Sequence, residues 1–157
     1  MGTLPTAVMD IAHTIQLVVA PVFLLAGIAG FLNMLTGRLA RVVDRSRKVA
    51  TALTPLGHQD HDAQVWELRI LDRRIDYINS AIFLCTASAV AICLVVAGLF
   101  IAALGGFNAG RAMAFAFIIA MTLLVAGLCF FLVEIRLAII SLRVPVELLE
   151  HEQKPRK

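Results

Sequence analysis

The sequence predicts an all-α membrane protein that crosses the bilayer three times, for three reasons. First, 60% of the 157 residues are hydrophobic and only 16% are charged, whereas a soluble domain averages about 45–50% and about 25%. Second, the mean hydropathy is +0.87. Third, charged residues are concentrated in one central stretch and at the two ends, and the runs between them are long enough to cross a hydrocarbon core of about 30 Å.

We predict one membrane domain over residues 1–157, with spans at about 11–35, 78–104 and 112–133, and a polar tail at 144–157. Pro21 lies inside the first span and is expected to kink it. Glycine and alanine recur on all three spans at spacings that let another helix approach closely. These small residues are Ala26, Gly27, Gly30, Ala87, Ala91, Gly98, Ala112, Ala116 and Ala120.

Between the first two spans, residues 36–77 predict a cytoplasmic antiparallel helical hairpin. Apolar residues recur every three or four positions on both sides of a break at Pro55 and Gly57, which indicates two amphipathic helices. We expect the loop to continue to Asp62 and the second helix to begin at about Ala63. This second helix is expected to run into the second span without a break.

The distribution of Lys and Arg predicts the orientation of the chain. Of fourteen such residues, eight lie within 36–77 and five lie from position 134 onward, while the 105–111 turn has one and the first ten residues have none. Cytoplasmic segments carry the excess of Lys and Arg. The N-terminus is therefore predicted outside, with the hairpin and the C-terminus in the cytoplasm.

A basic stripe of Arg38, Arg41, Arg45 and Lys48 follows the first arm of the hairpin at helical spacing. It has two compatible interpretations. The stripe is an ordinary solvated face, or Arg41, Arg45 and Lys48 lie on anionic lipid headgroups, at about 1 kcal/mol for each basic residue near the surface.

We predict a polar layer where the three spans reach the cytoplasmic interface. Its members are Asn33, Thr36, Arg38, Arg41, Asn79, Ser80, Glu134 and Arg136. A carboxylate at the border of the hydrocarbon is costly unless it is paired. We therefore expect Glu134 to pair with Arg38 or Arg41 and to accept a hydrogen bond from Asn79. The alternatives are a proton or ion pathway through this layer, and a Glu134 that simply faces the headgroups.

No pattern in the chain predicts a catalytic site, a cofactor or a metal. The polar run at 58–62 contains two histidines but no rigid ligand set, and His13 is more typical of an amphipathic interfacial residue. Cys85, Cys93 and Cys129 all lie in apolar runs, which favours small buried side chains over disulfides. The net charge of +3 lacks an interleaved aromatic pattern, so nucleic acid is not an expected partner.

The sequence resembles a known family in segments 15–17, 20–27, 33–45 and 131–138. The family is a set of small bacterial integral membrane proteins known as domain-of-unknown-function family 2721. The most specific parts are Thr-Gly-Arg-Leu at 36–39 and Val-Asp-Arg at 43–45. The resemblance covers about residues 11–143. It implies a three-span protein of the bacterial inner membrane, and it implies no activity, substrate or cofactor.

These observations favour a non-enzymatic scaffold or interaction protein, with the hairpin as a docking surface and the lipid bilayer as its surroundings. Three thin helices bury little of each other, so we expect a homo-oligomer. The alternative is a homo-oligomeric channel or small transporter with the polar layer as its constriction. An enzyme is the least supported class, because no nucleophile is accompanied by a base.

Overall fold

The computed structural model describes residues 6–52, 59–106 and 109–143. These residues form three long helices, α1 (Thr6–Thr51), α2 (Gln59–Gly105) and α3 (Gly110–Arg143), and no strand occurs among them. Each helix is long and apolar enough to cross a membrane. The prediction of an all-α protein with three membrane-spanning helices is therefore confirmed, and the chain is a multi-pass membrane protein.

The two arms predicted for the hairpin are extensions of the spanning helices themselves. The first span and the first arm are one continuous helix through Pro21, and the second arm continues into the second span, as expected. The expected loop to Asp62 is wrong, because α2 already begins at Gln59. Asp62 lies exposed in the first turn of α2, where the helix dipole favours a negative charge. The predicted break at Pro55 and Gly57 and the tail at 144–157 lie outside the described residues.

The helix α2 is central and packs against both α1 and α3. Its membrane half shares an apolar core with the other two helices, made of Ile28, Cys85, Ile92, Ala120 and Leu124. Its hairpin half packs on α1 through a second apolar core of Val42, Val49, Leu71 and Ile78. Two apolar cores therefore follow each other along α2, one between the three spans and one between the arms of α1 and α2.

The helices α2 and α3 approach each other closely at Gly127. A Cβ added at Gly127 would lie 2.7 Å from the Cys85 Sγ and 3.2 Å from the Ala81 carbonyl oxygen, so only glycine permits this approach. Nearby, the buried Ser88 Oγ donates a hydrogen bond of 2.7 Å to the Ala120 carbonyl. This bond satisfies a hydroxyl that would otherwise be costly in an apolar core.

One expectation about small side chains differs from the structure. Cys85 is buried, but Cys93 and Cys129 are exposed on the single chain, so the expectation that all three are buried is wrong. An added Cβ at Gly27 or Gly30 would have no heavy atom of the described residues within 4 Å, so the close approach of another helix to these glycines stays a prediction. The turn after α2 agrees with its glycines, since Gly106 adopts a φ of 67°.

These contacts predict opposite effects for the same substitution at two glycines. Gly127→Ala should lower the free energy of unfolding by about 1–3 kcal/mol, because the methyl group overpacks the α2–α3 interface. Gly27→Ala should leave stability unchanged or raise it by up to about 1 kcal/mol, because alanine is the better helix former. Denaturant titration in detergent micelles measures both. Equal effects at the two positions would contradict the close approach at Gly127.

Candidate functional site

One buried carboxylate connects all three helices. Glu134 on α3 is fully buried. Its Oε1 accepts hydrogen bonds from Arg74 on α2, at 2.9 Å from Nη2 and 3.3 Å from Nε. Its Oε2 lies 3.1 Å from the Nη2 of Arg38 on α1. We call Arg38, Arg74 and Glu134 the ion triad.

The two arginines of the triad lie closer to the protein surface than its carboxylate. The two guanidinium groups remain partly exposed, at 26% for Arg38 and 17% for Arg74, so they keep contact with polar surroundings while the carboxylate does not. Arg38 also lies over the ring of Phe131, with 5.3 Å from Cζ to the ring centroid. That ring packs edge-on against Phe31 at 5.2 Å. An aromatic pair therefore holds the α1 arginine over α3 through a cation–π contact.

The two carboxylate oxygens are not equivalent. Oε1 has two hydrogen bonds from Arg74, whereas Oε2 is buried and accepts none among the described residues. Arg38 is close enough to Oε2 for an ion pair, but its N–H group does not point at this oxygen well enough to form a hydrogen bond. Arg74 is consequently the directional partner, and Arg38 contributes mainly charge.

The structure brings together only part of the predicted polar layer. Of the two expected partners of Glu134, Arg38 forms the pair and Arg41 does not. Arg74 is a second partner that was not predicted, and Asn79 does not donate to the carboxylate. Arg74 could have been found from the sequence. It lies three residues after Leu71 and four before Ile78, which places an arginine on the apolar face of α2.

The remaining members of the layer lie away from the triad. Thr36 donates a hydrogen bond of 2.9 Å to the Asn33 carbonyl within its own helix, and both residues are exposed. Asn79 and Ser80 line a separate groove of about 480 Å³ together with Phe83, Leu84 and Phe130. Arg136 is exposed on α3. Of the eight predicted members, only Arg38 and Glu134 therefore belong to the ion triad.

A second feature lies beside the triad, between the arms of the hairpin. A cavity of about 240 Å³ is lined by Arg38, Arg41, Val42, Arg45, Leu71 and Arg74. We call it the arginine cavity. It contains two of the three residues predicted to face headgroups, Arg41 and Arg45. The third, Lys48, is exposed one turn further along α1.

The four arginines of the cavity differ in how they are paired. Arg38 and Arg74 share Glu134. Arg45 pairs with Glu67 across the hairpin, at 2.7 Å from Nη2 and 2.8 Å from Nε to Oε1. Arg41 is exposed and forms no ion pair with any residue that the structure describes. Four guanidinium groups against two carboxylates leave an excess of two positive charges at the cavity.

Metal ligation has no geometric support in the described part of the chain, where no three His, Cys, Asp or Glu side chains come together. His61 lies partly buried within α2 instead of in a loop. His13 and His58 lie outside the residues whose side chains are described.

The sequence matches the model of one protein family over residues 18–144, a range that contains the whole triad and the arginine cavity. The family is described as "Protein of unknown function (DUF2721)". The chain belongs to this family. The resemblance seen in the sequence is thereby confirmed. No curated protein and no solved structure matches the DUF2721 chain significantly.

The triad predicts a large effect of neutralising its carboxylate. Glu134→Gln should lower the free energy of unfolding by about 3–5 kcal/mol, because it leaves two partly buried guanidinium groups without their counter-charge. Arg41→Gln removes an unpaired, exposed charge nearby and should change stability by no more than about 0.5 kcal/mol. Denaturant titration in micelles compares the two. A Glu134→Gln protein as stable as the wild type would rule out a structural role for the triad.

Proposed function

We propose that this DUF2721 protein is a non-enzymatic scaffold of the bacterial inner membrane. In this proposal the α1–α2 hairpin stands in the cytoplasm as a docking surface for protein partners, and the spans assemble with copies of the same chain. The N-terminus lies outside and the C-terminus lies in the cytoplasm.

The observation that carries the proposal is the length of the hairpin helices and the packing between them. The helices α1 and α2 have 46 and 47 residues, or about 70 Å each at about 1.5 Å per residue, against a hydrocarbon core of about 30 Å. The excess lies in the hairpin, which has its own apolar core and the Arg45–Glu67 ion pair. A projecting pair of packed helices is better suited to presenting a surface to a protein partner than to enclosing a substrate.

An exposed aromatic side chain supports a docking role for the hairpin. Trp66 lies on the α2 arm, 53% exposed, next to Glu67. Tryptophan is among the residues that contribute most to protein–protein interfaces. In the proposed topology this side chain stands well beyond Tyr77, the aromatic residue suited to the membrane interface.

Self-assembly is supported by the unpartnered small residues of α1. Ala26, Gly27 and Gly30 are all exposed on the single chain. In each span, only 17% of an apolar 18-residue segment is buried within the protomer. In a bilayer, helices associate through close packing of such small residues, because apolar surface alone gives no preference over lipid.

The interior of one protomer gives less support to the channel alternative. Among the described residues, the buried polar side chains are Ser88 and Glu134, and both have partners within the chain. The core shared by the three spans is otherwise apolar. A conducting pathway would therefore have to be built between protomers, without a polar lining contributed from this core.

The topology can be tested by thiol labelling of intact cells. In a protein whose three cysteines are replaced by alanine, a cysteine at position 47 on the hairpin should react with a membrane-permeant maleimide and resist an impermeant one. A cysteine introduced at position 106, in the turn between α2 and α3, should react with both reagents. The reverse pattern at both positions would overturn the proposed orientation.

The assembly can be tested with one leucine substitution and a matched control. Gly30→Leu should convert the oligomer to smaller species, because the side chain blocks close approach while the protomer has room for it. Ala97→Leu, at an exposed position on α2, adds similar bulk elsewhere and should leave the oligomer unchanged. Mass measurement of detergent-solubilised protein distinguishes them. A wild-type protein that is monomeric in lipid and in detergent would refute self-assembly.

A further inference from the structure

We infer that the arginine cavity is a binding site for a phosphate group, either the headgroup phosphate of an anionic lipid or a soluble phosphate compound. The lipid source rests on the proposed placement of the hairpin at the membrane surface. The recognition of phosphate itself rests only on the cavity.

The lining of the cavity provides the chemistry that phosphate requires. A guanidinium group has five N–H donors in a planar fork that matches phosphate oxygens. Arg74 directs only Nε and Nη2 at Glu134, and Arg45 directs only Nε and Nη2 at Glu67. Arg41 forms no ion pair with a described residue. Most of the donors around the cavity are therefore available to a ligand.

The arginines of the cavity are also held in place by their neighbours, unlike the side chains of a flexible basic surface. Its floor is apolar, formed by Val42 and Leu71, which both belong to the hairpin core. Arg38 and Arg74 are fixed from below by the fully buried Glu134. Two carboxylates thus orient three of the four arginines without neutralising the whole set. An anion would bind to prearranged donors beside low-dielectric walls, where charge–charge interactions are stronger than in water.

The depth of the cavity favours a headgroup as the natural source. It begins at Arg38 and at Arg74, which is about one helical turn before Tyr77 in the sequence, and it lies on the hairpin side of the apolar core of the spans. In the proposed topology, this is the level of the lipid phosphates on the cytoplasmic side. If anionic lipid were attracted only by the overall positive charge, every exposed arginine would contribute equally to binding. In a structured site, the affinity depends on the arginines that line it.

The central test compares two arginines of the same helix that carry the same charge. Arg41 lines the cavity, and Arg47 is exposed on α1 but does not line it. Protein in a neutral detergent is titrated with inorganic phosphate, and separately with dihexanoyl phosphatidylglycerol, at constant ionic strength. Wild type should bind at least one of them saturably. Arg41→Gln should weaken binding by about tenfold, the effect of one charge-assisted hydrogen bond, and Arg47→Gln by no more than about twofold.

A second variant separates geometry from charge. Arg41→Lys keeps the positive charge but loses the fork, so its affinity should fall below that of wild type if the cavity is a built site. Equal losses for Arg41→Gln and Arg47→Gln, an Arg41→Lys protein that binds like wild type, or no saturable binding of either probe would each overturn the inference.

The source of the phosphate is decided in a bilayer. Wild type and Arg41→Gln are placed in nanodiscs with equal amounts of phosphatidylglycerol and phosphatidylcholine, and the lipids that stay bound are measured by native mass spectrometry. Retention of phosphatidylglycerol by wild type alone assigns the headgroup. Saturable binding of inorganic phosphate without such retention assigns a soluble compound. Because the detergent titration depends on neither orientation nor assembly, its outcome is separate from that of the proposed function.

Discussion

A carboxylate at the end of an apolar helix is among the most costly groups that a membrane protein can bury, and Glu134 is fully buried. The arrangement is tolerated because each oxygen faces a guanidinium group from a different helix. The pairing therefore constrains the rotation and the axial position of α1 and α2 relative to α3 simultaneously. Apolar packing between helices with small side chains constrains the rotation and the axial position much less.

The rest of the fold follows from that constraint. With α2 and α3 in register, Gly127 lies against Ala81 and Cys85, and Ser88 reaches the Ala120 carbonyl. With α1 in register, Phe31 meets Phe131, and Arg38 lies over the same ring. The helices α1 and α2 then continue together beyond the spans, and their apolar faces close into the hairpin core. The ion triad joins all three helices near the hairpin core, and α3 continues beyond it to Arg143.

This position links the stability of the fold to its surface chemistry. The two arginines that secure Glu134 also line the arginine cavity. A charge network that is needed to hold the helices in register thus supplies half of the guanidinium groups of a candidate anion site. The α1–α2 pair beyond it has its own apolar core, and the spans still expose small residues on the single chain.

Much of the fold could be predicted from the sequence, because its main signals are local. Apolar run length and the exclusion of charge from those runs determine the number of helices, and the period of apolar residues at 39–53 indicates an amphipathic arm. An isolated acidic residue at the end of the third run likewise marks Glu134 as a group in need of a partner. The predicted start of α2 at about Ala63 is wrong, because the polar residues at 59–62 are typical of loops as well as of first helical turns.

The identity of the partners required the tertiary structure. Arg38 and Arg41 are both close to Glu134 in predicted depth, and the choice between them depends on how α1 is rotated when it packs on α2. The contacts of Val42 and Leu71 set that rotation, which leaves Arg41 toward the cavity and brings Arg74 to the carboxylate. Helical periodicity determines which residues share a face, but only the packing of one helix against another decides what that face meets.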